Sequence, residues 1–291
     1  MQKRSIRTIK RGVFMKKAVG FIGGGNMAKA ILSGLSQKER CFDLYLCDRN
    51  EEKRTYFQQT LGVTTSADYR DFIDQVDILI LAIKPQGFPA LLAELKPILH
   101  ALKEKPLIIS IAAGVSIEAI LRGIDATEYP IIRVMPNTPS TIGLGASALY
   151  ANEAVSKSAC NDAGQIFASC GITTWLASEE LISAAVAVSG SSPAYLYYLM
   201  DIMSRVGVEM GLTPENSKVL TQQAVLGSAR YSQLSDLSFE TLKRNVMSPQ
   251  GTTEQAIFSL EKNHFDKIIE EAMRAAFNRD QELSELISEK I

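Results

Sequence analysis

The chain is 291 residues long, with 46% apolar residues, 22% charged residues and a formal net charge of −1. That length leaves room for two domains, and that composition fits a globular protein with a substantial core. A charge so near zero argues against nucleic acid or an anionic membrane surface as the main partner.

The first fourteen residues, MQKRSIRTIKRGVF, are basic and carry no acid. They are compatible with a targeting segment or with a start upstream of the true one at Met15, and residues 1–14 are read as a disordered basic extension. Short apolar runs then alternate with helical patterns: AVGFI (18–22), LYLC (44–47), DILILAI (77–83), LIISIAA (107–113) and IIRVM (131–135). These runs are rich in β-branched residues and nearly continuous in hydrophobicity, as strands covered on both faces are. Their alternation with helices predicts an α/β fold with a parallel, doubly wound, Rossmann-like sheet over residues 15–178. ASALYA (146–151) and TTWLA (173–177) extend that sheet.

After Ser178 helical periodicity takes over, as in Phe239, Leu242, Val246 and in Ile269, Met273, Ala276, Leu283, Ile287. Thr213-Pro214 and Ser238 supply helix-start signals. An all-helical domain is expected over 179–291. Its stretch LISAAVAVSGSSPAYLYYLMD (181–201) is about long enough to cross a bilayer. Gly190, Ser191, Ser192 and Pro193 break it, and Asp201, Arg205 and Glu209 follow at helical spacing. It reads as a long buried helix in a subunit interface, not a membrane span.

The four cysteines, Cys41, Cys47, Cys160 and Cys170, form no CxxC pair. They read as buried, reduced thiols in a cytoplasmic protein. The two histidines, His100 and His264, stand near no cysteine in sequence. No metal is expected.

One candidate site lies in AVGFIGGGNMAKAILSGL (18–35), a strand, a glycine turn and a helix. Gly23, Gly25 and Ala28 fit G-x-G-x-x-A. The first glycine permits the tight turn, the second lets backbone approach a pyrophosphate, and the small third residue seats helix on strand. Gly23, Gly24, Gly25, Asn26 and Met27 are therefore candidate dinucleotide contacts at a helix N-terminus. The alternative is a turn that only packs. Asp48 ends the next strand, where an acid favours a free ribose 2′-hydroxyl, but Arg49, Lys53 and Arg54 crowd it. Three cations beside one acid favour NADP(H), with NAD(H) possible. Strand ends line the cofactor crevice in such sheets, so Ala82, Lys84, Pro85 and Ala113 join the cofactor set. Lys84 reads equally well as a solvated turn lysine.

A second candidate is SPQGTTEQAI (248–257). A proline turn runs into a glycine, two threonines and an apolar-periodic stretch. It reads as a helix N-terminus offering N–H groups and hydroxyls to a small anion, or as plain helix capping.

The blocks VGFIGGGNMAKAI, LAIKP, IAAGVSI, RVMPNTP, VAVSGSSPAYLYYLMD and VMSPQGTTEQAI appear in the order found in the pyrroline-5-carboxylate reductase family. The chain resembles that family from residue 16 to about 285. The resemblance implies NAD(P)H-dependent reduction of 1-pyrroline-5-carboxylate to L-proline, the last step of proline biosynthesis. It implies a carboxylate cradle of Ser248, Gly251, Thr252 and Thr253, with Thr253 as the catalytic hydroxyl at the ring nitrogen. It also places Asp236 in the substrate pocket and Asn245 near the nicotinamide. It implies a homodimer, and beyond it a larger ring such as a decamer. Two positions depart from the family's Thr-Ser-Pro-Gly-Gly-Thr-Thr loop, Met247 and Gln250. Gln250 is strained if its position needs φ > 0. An imine can enter protonated, so the lack of a credible catalytic histidine or lysine fits imine reduction. Two other readings stay open. One is a hydroxyacid-type dehydrogenase, whose base falls to Lys218 or Lys243. The other is a catalytically silent nucleotide sensor.

Overall fold

A computed structural model describes residues 16–37 and 42–291. The extension expected over 1–14, and Cys41, lie outside the described residues. Two compact units emerge: Met1–Glu179 together with Ser284–Ile291, and Glu180–Leu283.

The first unit runs β1 (Lys17–Ile22), α1 (Asn26–Gln37), β2 (Phe42–Cys47), α2 (Glu51–Leu61), β3 (Thr64–Ser66), β4 (Ile78–Leu81), α3 (Phe88–Ala101), β5 (Leu107–Ser110), α4 (Ile117–Gly123), β6 (Ile131–Met135), β7 (Gly145–Ala151), α5 (Lys157–Phe167) and β8 (Gly171–Trp175). The strands form one sheet in the order β3-β2-β1-β4-β5-β6-β7-β8. Every expected run is a strand. β3, three polar residues, was not foreseen. The β6–β7 pair is antiparallel, which corrects the all-parallel expectation. Only residues 136–144, with a five-residue 3-10 helix and a glycine turn, link these two strands, too little chain for the crossover that a parallel pair needs.

Alternation along β4 shows why its sequence is continuously apolar. Leu79 and Leu81 join one core cluster with Leu91, Leu92 and Leu95 of α3. Ile78 and Ile80 join the other with Ile31 and Leu32 of α1 and Phe167 of α5. Both faces are covered, and each such side chain contributes about 1.5–3 kcal/mol by burial. Arg133 on β6 is only 6% exposed. It is paired with Glu179 Oε1 at 2.8 Å, and the same oxygen accepts the Ile117 N–H at 2.8 Å. A buried guanidinium needs such a partner. The chain's end also belongs here: Ile287 and Ile291 pack in the first core cluster, and Arg122 donates to the Ser288 carbonyl.

From β1 the chain steps outward to β2 and β3, then returns to β4 on the other side of β1. The glycine turn after β1 therefore stands at a topological switch point, where open α/β sheets bind ligands.

The second unit contains α6 (Leu181–Ala185), a π-helical turn (Val186–Gly190), α7 (Ser192–Glu209), α8 (Pro214–Leu234), α9 (Phe239–Asn245), α10 (Thr252–Lys262) and the greater part of α11 (Phe265–Ser288). α7 and α8 approach closely at Gly207, where a Cβ would lie 2.3 Å from Ser217 Oγ. The stretch 181–201 is not the single buried helix expected. It is split by the π turn, and Leu196, Tyr197 and Tyr198 are 46%, 60% and 71% exposed in the single chain. Pro193 lacks an N–H and sits in the first turn of α7, so the pattern restarts there. His100 lies in the last turn of α3 and His264 follows α10; both are exposed.

Candidate functional site

β1 ends at Ile22 and α1 begins at Asn26, so Gly23, Gly24 and Gly25 form the turn. Gly23 has φ +101°, and a Cβ there would lie 2.6 Å from the Ala82 carbonyl oxygen. Its N–H donates to the Cys47 carbonyl at 2.8 Å. A Cβ on Gly24 would come within 3.0 Å of both Asp48 and Phe57. Packing alone explains these two glycines. It does not explain Gly25, where a Cβ would meet no protein atom within 4 Å. The bare backbone there leaves open ground at the N-terminus of α1, where N–H groups and the helix dipole favour an anion. Ala28, fully buried, is the small residue that seats α1 against the sheet.

The turn borders a cleft of about 870 Å³ whose walls include Gly23, Asp48, Arg49 and Lys84. Of the other expected cofactor residues, Gly25 and Asn26 are exposed at the turn, Met27 and Ala82 are half-buried, and Pro85 opens a short 3-10 turn after Lys84. Ala113 lies beyond the end of β5, half-buried. The far wall was not foreseen: it holds Asp68, Tyr69, Arg70 and Glu94. Arg70 pairs with Asp68 at 3.0 Å and with Glu94 at 3.8 Å, and the Tyr69 hydroxyl donates to Glu94 at 2.9 Å. Burial, then Glu94, pushes the Tyr69 hydroxyl up to about 12. This wall follows β3, and so short and polar a strand gives no periodic signal.

Asp48 makes contacts on both carboxylate oxygens. Oδ2 accepts the Gly24 N–H at 2.8 Å and meets Lys53 Nζ at 3.3 Å, while Oδ1 accepts the Asn50 N–H at 2.8 Å. Burial would raise this carboxyl, but the two N–H groups and Lys53 outweigh it and hold it below the ordinary aspartate range. Burial chiefly, with Asp68 and Asp48 nearby, pushes the Cys47 thiol up to about 11, so it stays neutral.

In the second unit the turn between α9 and α10 gathers Ser248, Gly251, Thr252 and Thr253. The Gly251 N–H donates to the Ser248 carbonyl at 2.8 Å, and a Cβ on Gly251 would lie 2.9 Å from that oxygen. Gly251 is the capping residue of α10 and offers no side chain. By contrast α2, α4, α5, α8 and α9 are capped by Asn50, Ser116, Ser156, Thr213 and Ser238. Thr252 and Thr253 lie inside α10 as its first two residues, so neither caps it. Among the described residues neither hydroxyl has a hydrogen-bond partner, and the first return bond of the helix runs from Gln255 to Gly251. The N–H groups of its first turn stay open, as at any uncapped helix start. Gln250 adopts φ +60°, the strained conformation that its replacement of a glycine implied. Its N–H donates to Glu254 Oε2 at 2.8 Å.

Asp236 is exposed in the α8–α9 link, and Asn245 is exposed at the end of α9. Lys243 is held by Glu240 at 2.9 Å and Glu261 at 3.5 Å. These acids raise its ammonium, Glu240 most, which opposes a role as a base. Lys218 is exposed on α8. Among the described residues no cluster of three metal-ligating side chains occurs, and no helix is long and apolar enough to cross a membrane.

A family model for pyrroline-5-carboxylate reductase dimerisation matches residues 179–283, and one for NADP oxidoreductase, coenzyme F420-dependent, matches residues 18–114. The pyrroline-5-carboxylate reductase of Pseudomonas aeruginosa is 38% identical over 275 residues, covering 93% of this chain and 98% of the relative. That of Haemophilus influenzae is 36% identical, covering 93% and 98%. Among solved structures, a pyrroline-5-carboxylate reductase from Coxiella burnetii is 38% identical with TM-score 0.86, covering 93% of this chain and 99% of its own. A pyrroline carboxylate reductase from Plasmodium falciparum with NADP bound is 29% identical with TM-score 0.79, covering 92% and 98%.

Proposed function

Because the chain belongs to the pyrroline-5-carboxylate reductase family, we propose that its two turns serve the reduction of 1-pyrroline-5-carboxylate to L-proline with NADP(H), and with NAD(H) as the poorer coenzyme. The observation that carries the site assignment is the uncapped start of α10, with two threonine hydroxyls that no group among the described residues uses. An uncapped helix start with small residues suits a small carboxylate.

The residues of the first turn fit a dinucleotide, since Gly25 is bare where no protein atom needs the space. Gly23, Gly24, Gly25, Asn26 and Met27 hold its pyrophosphate. Asp48 and Arg49 face its adenosine ribose. Ala82, Lys84, Pro85 and Ala113 line its path along the strand ends, and Asn245 stands beside the nicotinamide. When bound, the reduced nicotinamide supplies a hydride to C5 of the imine. Ser248, Gly251 and Thr252 hold the substrate carboxylate. Thr253 accepts a hydrogen bond from the protonated ring nitrogen and so orients the C=N bond. Asp236 supplies a negative charge that favours the iminium. Solvent supplies the proton before hydride arrives, so no enzymic base is needed.

The dimerisation match and the exposed Tyr197, Tyr198 and Phe239 support a homo-oligomer. We extend this to a homodimer, with a ring such as a decamer built from it. The unoxidised thiols of Cys47 and Cys160 support a cytoplasmic location.

The test is a spectrophotometric assay with 1-pyrroline-5-carboxylate and either NADPH or NADH. Turnover with NADPH, and Lys218→Ala as active as the parent, is the expected outcome. Cofactor binding without turnover sinks the reductase reading and favours a sensor. Loss of activity in Lys218→Ala favours the hydroxyacid-type reading.

A further inference from the structure

The three cations after β2 do three different jobs. Arg54 Nη1 donates to the carbonyls of Asp48 at 2.9 Å and Arg49 at 3.0 Å, so it braces the backbone. Lys53 pairs with Asp48. Arg49 lines the cleft, exposed and with no side-chain partner among the described residues. An acid at this position ordinarily hydrogen-bonds a ribose 2′-hydroxyl and repels a 2′-phosphate. Here Asp48 accepts from Gly24 and Asn50 and lies against an ammonium, with its side chain only 13% exposed.

We infer that Lys53 determines coenzyme choice by acting on Asp48: it offsets the charge that would repel a 2′-phosphate, so the ionised acid becomes a charge-compensated strut of the glycine turn and Arg49 remains as the free cation. This rests on the dinucleotide reading of the first turn. Lys53 is thus a positioning and charge-cancelling residue. Its side chain is 48% exposed, and an ordinary surface pair of that kind contributes little to stability. Its effect should therefore appear in ligand choice and not in folding.

The experiment is equilibrium titration of the full chain with 2′,5′-ADP and with 5′-AMP, fragments that bind without reacting. Lys53→Met should weaken 2′,5′-ADP by about tenfold, the Coulomb cost of one uncompensated carboxylate near a phosphate in water. It should leave 5′-AMP and the melting temperature unchanged. The double variant Asp48→Asn/Lys53→Met, which removes both opposite charges together, should then bind 2′,5′-ADP as the parent does. A double variant as weak for 2′,5′-ADP as Lys53→Met alone means that Lys53 touches the phosphate itself, and overturns the inference. So does an unchanged fragment ratio in Lys53→Met. If the parent protein binds neither fragment, the dinucleotide reading falls and the inference with it. Should Asp48→Asn fail to fold, Asp48→Ser supplies the neutral background instead.

Discussion

Each unit of this chain opens a helix from a glycine-bearing turn, but the two turns are built differently. The first is committed at two of its three glycines: Gly23 is jammed against Ala82, Gly24 against Asp48 and Phe57, and their N–H groups are bound by Cys47 and Asp48. The second carries a strained glutamine and leaves its helix start uncapped. One turn is held rigid whether or not a ligand arrives. The other leaves the donors of its helix start without a partner among the described residues. The difference separates a scaffold for a common cofactor from a site whose details are open to variation.

The rigid turn should break hardest. Gly23→Ala meets both a positive φ and a backbone oxygen, so it should cost about 3 kcal/mol of stability. A thermal melt beside an NADP+ titration would check this; near-parent melting and affinity would mean that the turn can shift. At the second turn, Thr253→Ala should lower kcat/KM by about 10- to 100-fold, the worth of a hydrogen bond to a charged group. Stability should hold, since no protein group uses that hydroxyl. Steady-state kinetics that match the parent would refute its role. Gly25→Ala sharpens the contrast within the first turn. Its Cβ meets open space, so the melt should not move, yet crowding of the ligand should weaken dinucleotide binding by roughly tenfold or more. A fall in melting temperature without loss of affinity would make Gly25 a packing residue after all. The smallest effect belongs to Gln250→Gly. It relieves about 1–2 kcal/mol of left-handed strain and adds about 0.5–1 kcal/mol of unfolded-chain entropy. The net gain is about 0.5 kcal/mol. Destabilisation would show that the glutamine side chain contributes a contact worth more than its strain.

Much of the first unit was readable because its strands are buried on both faces and announce themselves as apolar runs. β3 was not, since Thr64–Ser66 has neither hydrophobicity nor length, and with it went the wall of Asp68, Tyr69 and Arg70. The glycine motif was legible as chemistry, and the structure adds that Gly23 and Gly24 face protein while Gly25 faces open space. In the second unit, helices were legible but burial was not. The apolar stretch 181–201 reads identically whether its partner is the same chain or another, and in the single chain Tyr197 and Tyr198 lie exposed. The strain at Gln250 was legible only because a glycine is expected there; composition alone marks nothing.

The return of Ser284–Ile291 to the first unit has a topological meaning. The helical unit is an insertion into the dinucleotide-binding unit and not an appendage to it. Ile287 and Ile291 help to close a core whose other buried members precede residue 132, with Tyr150 also packed against it. A fragment cut at Ser178 therefore lacks one wall of its own interior. The autonomous piece is two stretches of chain, Met1–Glu179 and Ser284–Ile291, and a dissection that joins them through a linker is the one that should fold.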